Sequence, residues 1–435
     1  MALQLPSDRL NPALGDAGLE VMNFLNQVSM RYPQAISFAP GRPPERLFGL
    51  ADSLPSIERF FAEGDRSLLH LPEQHGIDSL GQYGRTNGII GAPLARLLEH
   101  DENVVVSPQD IVVTAGAQEA LCLCLNVLCG SRGDVALTIE PSYIGFFGAA
   151  RMMGIEVVGV PCGDAGVDIG ALGRTVHALA EGGKHARVLY LNTDYANPTG
   201  LSLPLPARRA LLQAAAEHDL LLIEDAAYNY FCYDGAPAPA LKALPGGDRV
   251  VYIGSFAKSV FPGARVGFAV ADQVVTRAGC PAARLADEMS KVKSLLTVNT
   301  SPLMQALVGG VLLANDYSLR EYVRPRVRAM QRSRDAMLEA LEDSIPRNAG
   351  GQRCVTWNRP SGGFFLSLNM PRPILSEDLL TCARDFGVTW TPMSFFHIDP
   401  APSAQIRLSF SYVAPEVVRE GIGRLAAWMR SAAFF

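Results

Sequence analysis

The stretch YIGSFAKSVFPGARVGF, from Tyr252 to Phe268, places a lysine where few charges belong. Lys258 is surrounded by aromatic and aliphatic residues, and no acid lies in the segment. The chain has only five lysines, Lys184, Lys242, Lys258, Lys291 and Lys293. Apolar surroundings disfavour the ammonium form and lower its pKa. A lysine that can be neutral near pH 7 is a nucleophile towards aldehydes and forms Schiff bases. Ser255 and Arg265, in the spacing S-x-x-K-x3-P-G-x-R, are residue types that bind a phosphate. A lysine snorkelling from a partly exposed turn is the plainer account of the same segment.

Other polar residues fall where apolar runs stop. In EDAAYNY, Asp225 closes such a run, with Tyr228 three residues on. A buried aspartate needs a cationic partner, and a protonated pyridine nitrogen would supply one; it could equally start a turn or cap a helix. YANPTG, from Tyr195 to Gly200, is a turn cluster in which Asn197 is either a turn residue or a ligand. In TAGAQEAL an apolar run enters a glycine turn and a helix start. The N–H groups of Ala117 and Gln118 would there point at an anion, helped by the helix dipole. Tyr143, in EPSYIG, is either a ring that stacks on a planar cofactor or a surface tyrosine.

These residues need elements to position them. Short apolar runs alternate with helical patterns from Asp110 to Ala271, and Gly116, Pro141, Asn192, Asp225 and Ser255 follow the expected strand ends. That alternation predicts a mostly parallel sheet covered on both faces, with ligands beyond the strands' carboxyl ends. Past residue 320 the pattern becomes one long charged amphipathic helix, Val323–Ser344, and then short strands of an α+β unit. An amphipathic helix is expected over Leu19–Met30, followed by the extended ISFAPGRPPERLF. The expected division is a small domain of residues 1–50 and 321–435 around a large domain of 51–320.

The chain has 435 residues, too many for one ordinary core. A net charge of −5 with no basic block argues against a nucleic-acid partner. Apolar runs such as Ala120–Gly130 are too short to span a membrane, and the N-terminus has no signal-peptide pattern. Eight cysteines without a CxxC pair are expected to be free thiols rather than metal ligands or disulfides, which points to the cytoplasm.

Taken in order, GAQ, PSY, NPTG, D-x-x-Y, SFAKSVFPGAR and a late arginine resemble the fold-type I, pyridoxal-5′-phosphate-dependent aminotransferases of class I/II, over about residues 37 to 412. The resemblance implies an α/β fold, with a mostly parallel seven-stranded sheet sandwiched by helices and a smaller α+β domain. It implies that Lys258 holds the cofactor as a Schiff base and then shuttles the proton. Asp225 would pair with the pyridine nitrogen, Asn197 and Tyr228 with the phenolic oxygen, and Tyr143 would stack on the ring. Gly116, Ala117, Gln118, Ser255 and Arg265 would surround the phosphate. Tyr83 matches the tyrosine lent to the partner subunit, which implies a homodimer with shared sites. Arg407 would grip the substrate α-carboxylate, and Gly41 lies in the segment expected to fold over the substrate.

The sequence also departs from the family pattern. Thr193 and Ala196 replace the usual proline and glutamine before NPTG, EDAAY replaces EDDPY, and Met393 replaces a glycine. His397, close to Met393, reads as a surface residue. Amino-group transfer from an α-amino acid to a 2-oxo acid is the expected reaction. Elimination or replacement, decarboxylation, cyclisation or oxidation on the same cofactor is the alternative, because the pocket chooses the bond that aligns. The ligand-sensing domain of a transcription regulator, which shares the fold, would need a basic domain ahead of it. The expected side chain is aromatic or medium-sized aliphatic, held near Gly41–Arg42, Tyr143, Val292–Pro302 and the partner chain.

Overall fold

A computed structural model describes residues 3–15, 21–63, 73–163, 165–347, 350–399 and 401–435. After β1 (Ile36–Ser37), the chain lays down β2 (Ile111–Thr114), β3 (Asp134–Glu140), β4 (Glu156–Gly163), β5 (Gly166–Val167), β6 (His185–Leu191), β7 (Leu221–Asp225), β8 (Val250–Ser255) and β9 (Gly267–Val270). Strands β2 to β9 form one sheet in the order β2-β9-β8-β7-β6-β3-β4-β5. The pairs among β3, β4, β6, β7 and β8 are parallel. The sheet has one strand more than the seven expected: β5, a two-residue return antiparallel to β4. Strand β9 runs antiparallel to both β8 and β2. The 256–266 link before it falls short of the dozen or more residues that a parallel crossover needs.

The apolar runs are unbroken because both faces are covered. On β6, Val188 and Tyr190 join a core with Leu121, Leu125 and Phe146, from the helices Ala117–Leu128 and Ile144–Met152. The alternate residues Leu189 and Leu191 join Leu172, Leu211 and Leu212 on the other face. Period-two alternation thus splits one hydrophobic strand between two cores.

A short ribbon of β10 (Val274–Val275) and β11 (Ala283–Arg284) precedes the C-terminal part. There β12 (Thr356–Trp357), β13 (Phe365–Asn369), β15 (Thr391–Pro392) and β16 (Gln405–Ser409) make an antiparallel sheet in the order β12-β13-β16-β15. Strand β14 (Val388–Thr389) instead pairs in parallel with β1. Phe38 N–H donates to the Thr389 carbonyl at 2.8 Å, and Ser409 N–H donates to the Phe38 carbonyl at 2.7 Å. Phe38 and Val28 share a core with Trp390, Ile406 and Trp428, so the N-terminal segment is sewn onto the C-terminal part. The N-terminal helix is described over Val21–Arg31; the expected start at Leu19 lies outside the described residues.

The long helix runs from Arg320 to Ser344. Its Val323 packs with Ile111 and Val270 of the large sheet, while Ala336, Met337 and Leu341 pack with Trp390. One helix therefore contributes to both cores. All eight cysteines are free. Among the described residues no helix is long and apolar enough to cross a membrane, and no cluster of acidic, histidine or cysteine side chains is placed to hold a metal.

Candidate active site

The carboxyl edge of the large sheet opens into a cavity of about 860 Å3. Gly267 of β9 stands opposite both Thr114 of β2 and Ser255 of β8, which sets the glycine turn and the lysine turn side by side. Lys258 is the third residue of a one-turn helix, Phe256–Ser259, capped by Ser255, whose Oγ accepts from the Ala257 N–H at 3.3 Å. The turn aims the amine inward. Lys258 Nζ donates to the Gly41 carbonyl at 2.7 Å and lies 5.9 Å from the ring centres of both Tyr228 and Phe364. Burial pushes this amine down to about 8, against the pull of Asp225.

Asp225 ends β7 and is buried. Its Oδ2 accepts from the Tyr190 hydroxyl at 2.8 Å, and its Oδ1 accepts from the Ala227 N–H at 3.1 Å. Burial raises its pKa, and those two donors work against the rise. Burial likewise pushes the Tyr228 phenol up. Asn192, at the end of β6, donates to the Asp225 backbone carbonyl at 3.0 Å and so ties two strand ends together.

Arg407 lies on β16 and is only 5% exposed. It donates through Nη1 to Asn197 Oδ1 at 2.7 Å and through Nη2 to Thr391 Oγ1 at 3.1 Å. The rings of Phe365 and Phe396 stack on its guanidinium at 4.4 and 4.6 Å. Its Nε is buried without a hydrogen-bond partner. Burial pushes this guanidinium down to about 10. A Cβ on Gly41 would lie 2.3 Å from the Phe365 ring. Glycine there lets the loop bring its carbonyl to Lys258 without displacing the ring that packs on Arg407.

Gly116, at φ +84°, precedes the Ala117–Leu128 helix. The positive φ favours glycine, and a Cβ there would lie 2.3 Å from the Arg265 guanidinium and push it aside. Arg265 itself sits at φ +48° and donates to the Ala115 carbonyl at 3.0 Å. The N–H groups of Ala117 and Gln118 have no partner within their own helix. Gln118 Nε2 donates to the Gly145 carbonyl at 2.7 Å, and the Tyr143 hydroxyl donates to Gln118 Oε1 at 3.3 Å. Together the helix-start N–H groups, the Ser255 hydroxyl and Arg265 form a donor set suited to a dianion. Asp225 in the same cavity is suited to a cation, and the Arg407 guanidinium to a carboxylate.

The cavity collects Gly41, Ala117, Gln118, Tyr143, Asn197, Asp225, Tyr228, Ser255, Lys258, Arg265 and Arg407, with Gly116 packed directly on Arg265. Tyr83 does not line it and is 79% exposed. The expectation that Val292–Pro302 walls the pocket is corrected: none of these residues lines it within the chain. The Leu285–Leu296 helix packs behind the Ala117–Leu128 helix through Met289, and its Leu295 turns outward. The outer wall instead comes from Val21, Leu25, Asn26 and Ser29 of the N-terminal helix, followed by Tyr32. Their spacing of three and four residues was a readable signal for one helix face. Tyr190 was also missed, because its hydroxyl is carried by an otherwise apolar strand. His397 is half-buried against Glu140 at 3.1 Å rather than free on the surface, and its ring holds that carboxyl below the ordinary range. Neither His397 nor Met393 lines the cavity.

Residues 73–425 match the aminotransferase class I and II family. The (S)-3,5-dihydroxyphenylglycine transaminase of Amycolatopsis orientalis is 42% identical over 427 residues, covering 98% of this chain and 95% of that protein. The crystal structure of a kynurenine aminotransferase from Pyrococcus horikoshii superposes with a TM-score of 0.81 at 28% identity, covering 98% of each chain. That of an α-aminoadipate aminotransferase from Thermus thermophilus, complexed with N-(5′-phosphopyridoxyl)-L-leucine, gives 0.76 at 28% identity, also over 98% of each chain. The chain belongs to the class I and II aminotransferases. It is a transferase that uses pyridoxal 5′-phosphate to move an amino group between an α-amino acid and a 2-oxo acid.

Proposed function

We propose that Lys258 is the covalent anchor and proton carrier of this transferase, and that its amino donor is an aromatic α-amino acid with ring hydroxyls. The observation that carries the residue roles is a single chamber holding a buried amine, a buried carboxylate and a guanidinium with an unpartnered N–H. The Gly116–Gln118 turn, Ser255 and Arg265 would hold the cofactor's phosphate. Asp225 would pair with its ring nitrogen, Tyr143 would stack on the ring, and Asn197 and Tyr228 would hydrogen-bond its phenolic oxygen. When bound, the cofactor draws electron density away from the substrate Cα, which acidifies the Cα–H.

The chain's own residues do the rest. Arg407 grips the substrate carboxylate, and its position is fixed by Asn197, Thr391 and two aromatic rings. A guanidinium held this firmly sets which bond at Cα points at Lys258. Neutral Nζ would then take the Cα proton and, as the ammonium, return it across the substrate nitrogen, two bonds from Cα. An amine near 8 suits both tasks, because it is a fair base and a fair acid close to neutral pH. In the protein without cofactor the Gly41 carbonyl holds the amine, and the loop carrying it would close the chamber over the substrate.

Support for an aromatic donor comes from the outer wall. Val21, Leu25 and Val417 offer an apolar bed, and Asn26, Ser29 and Tyr32 offer neutral hydrogen-bonding groups. Among the described residues of that wall the one cation, Arg42, is engaged by Glu45 at 3.0 Å and stacks over Tyr412. A second carboxylate on the substrate would have to share that guanidinium with Glu45. The substrate named for the 42% identical relative, a dihydroxyphenylglycine, has the same chemistry. We further propose a homodimer in which Tyr83 completes the partner's phosphate site. Exposed Tyr83, Leu295 and Leu296 support an apolar subunit face. The cytoplasm and the division into residues 51–320 and a small domain of 1–50 with 321–435 complete the proposal.

A donor panel tests the substrate class. Tyrosine and hydroxylated phenylglycines are expected to exceed 2-aminoadipate by about tenfold or more in kcat/KM with a common 2-oxo acid acceptor. A preference for 2-aminoadipate would overturn it.

A further inference from the structure

Behind the glycine turn lies an ion pair that the chemistry above does not use. Lys293 has no exposed surface. Its Nζ donates to Glu119 Oε1 at 3.0 Å, to Oε2 at 2.8 Å and to Thr297 Oγ1 at 3.0 Å. The Thr297 hydroxyl in turn donates to Glu119 Oε1. Glu119 Oε2 also accepts the Ala115 N–H at 2.5 Å, while the Ala115 carbonyl accepts from Arg265 at 3.0 Å. Ala115 is therefore gripped at both polar atoms, one residue before Gly116.

The placement of Glu119 is otherwise adverse. It is the third residue of the helix whose first N–H groups face the proposed phosphate. An uncompensated carboxylate in that turn would repel a dianion. A buried lysine on both of its oxygens cancels that charge and turns the carboxylate towards Ala115.

We propose that Glu119 and Lys293 are positioning residues of the cofactor's phosphate cradle: Glu119 orients the Ala115–Gly116 turn, and Lys293 neutralises Glu119 so that the turn can accept a dianion. This rests on the reading that the Gly116–Gln118 turn holds the phosphate. Neither residue touches the reacting atoms. Both act on the phosphate end of the ligand alone, so their loss shows in the contrast between pyridoxal 5′-phosphate and pyridoxal.

The test measures dissociation constants of both ligands for the full-length apoprotein and its variants. Lys293→Met leaves a lone carboxylate in the cradle and is expected to raise the constant for pyridoxal 5′-phosphate at least about tenfold while leaving pyridoxal within about threefold. The double variant Glu119→Gln/Lys293→Met removes both charges, keeps an acceptor for Ala115, and is expected to recover most of the affinity. Equal losses for both ligands, or no loss for the phosphorylated one, would overturn the proposal. Where Lys293→Met fails to fold, Glu119→Ala/Lys293→Met is compared with Glu119→Gln/Lys293→Met. A selective loss for the alanine form supports the proposal, and equality overturns it. Arg265→Met separates the two readings. If it spares the contrast, the cradle itself is misplaced; if it abolishes the contrast while Lys293→Met does not, only the role of the pair falls.

Discussion

Lys258 and Lys293 are both enclosed, in a chain with five lysines, yet their surroundings are opposite. Lys293 rests on both oxygens of Glu119 and on Thr297. Lys258 has a backbone carbonyl for its hydrogen-bond acceptor and aromatic faces around it. A buried ammonium on a carboxylate is a structural element whose charge is compensated in place. One that meets only a carbonyl and rings is held at the cost of its charge, and its amine falls to about 8. Burial alone does not mark a reactive lysine; burial without a directly bonded carboxylate does.

The largest effect comes from making the same substitution at both positions. Lys258→Met removes base and anchor together, and transamination is expected to fall by roughly ten-thousandfold or more. Apoprotein stability should move the other way. The drop from 10.5 to about 8 corresponds to roughly 3 kcal/mol of disfavoured charge. Between those values the unfolded chain binds more protons, so the penalty is full below pH 8 and gone above pH 10.5. Lys258→Met should therefore raise the apoprotein melting temperature at pH 7 and lose that gain by pH 10.5. Lys293→Met leaves Glu119 buried alone and should cost about 3–5 kcal/mol. Calorimetry of the two apoproteins breaks the comparison if both shifts have the same sign.

How much of this was legible in the sequence follows from the same contrast. Lys258, Asp225 and Asn197 stand at strand ends, where local pattern and turn chemistry agree, so their convergence could be read from order and spacing. The seven principal strands were legible as apolar runs for the same reason. The grip of Lys293 on Glu119 spans 174 residues, and no periodicity encodes a long-range pair. The N-terminal helix gave a readable stripe, but which wall that stripe would line depends on the pairing of β1 with β14. Segment 292–302 does not line the cavity within the chain, because its mixed apolar and polar sequence does not say which way its helix turns.

A pH series sharpens the contrast with a smaller effect. Only the neutral amine attacks an aldehyde. The rate at which the apoprotein captures pyridoxal 5′-phosphate should rise about tenfold per pH unit well below 8 and level off above it, following the amine that lies near 8. Stopped-flow absorbance gives the midpoint. A midpoint near 10 would mean that burial does not tune Lys258.

The smallest expected effect concerns a carboxylate rather than an amine. Glu119 bonds directly to a full cation, whereas Asp225 takes its hydrogen bonds from neutral donors, the Tyr190 hydroxyl, the Ala227 N–H and the Asn192 amide. That leaves the negative charge of Asp225 without a directly bonded cation and available to a cationic ring nitrogen. Tyr190 is fully buried and its ring stacks on Phe146 at 4.3 Å, so Tyr190→Phe keeps the packing and removes one hydrogen bond. The lost donor was working against burial, so the Asp225 pKa must rise further. Asp225 acts while ionised, and the acid limb of the pH–rate profile should therefore move to higher pH. A bond from a neutral donor to a charged group is worth about 1.5–3 kcal/mol, which bounds the loss in kcat at roughly tenfold to a hundredfold. A merely structural tyrosine would lower the melting temperature and leave that limb in place. A limb that does not move would mean that the Tyr190 bond leaves the charge on Asp225 unchanged, and burial, the Ala227 N–H, Asn192 and the charge of Lys258 would then have to set it.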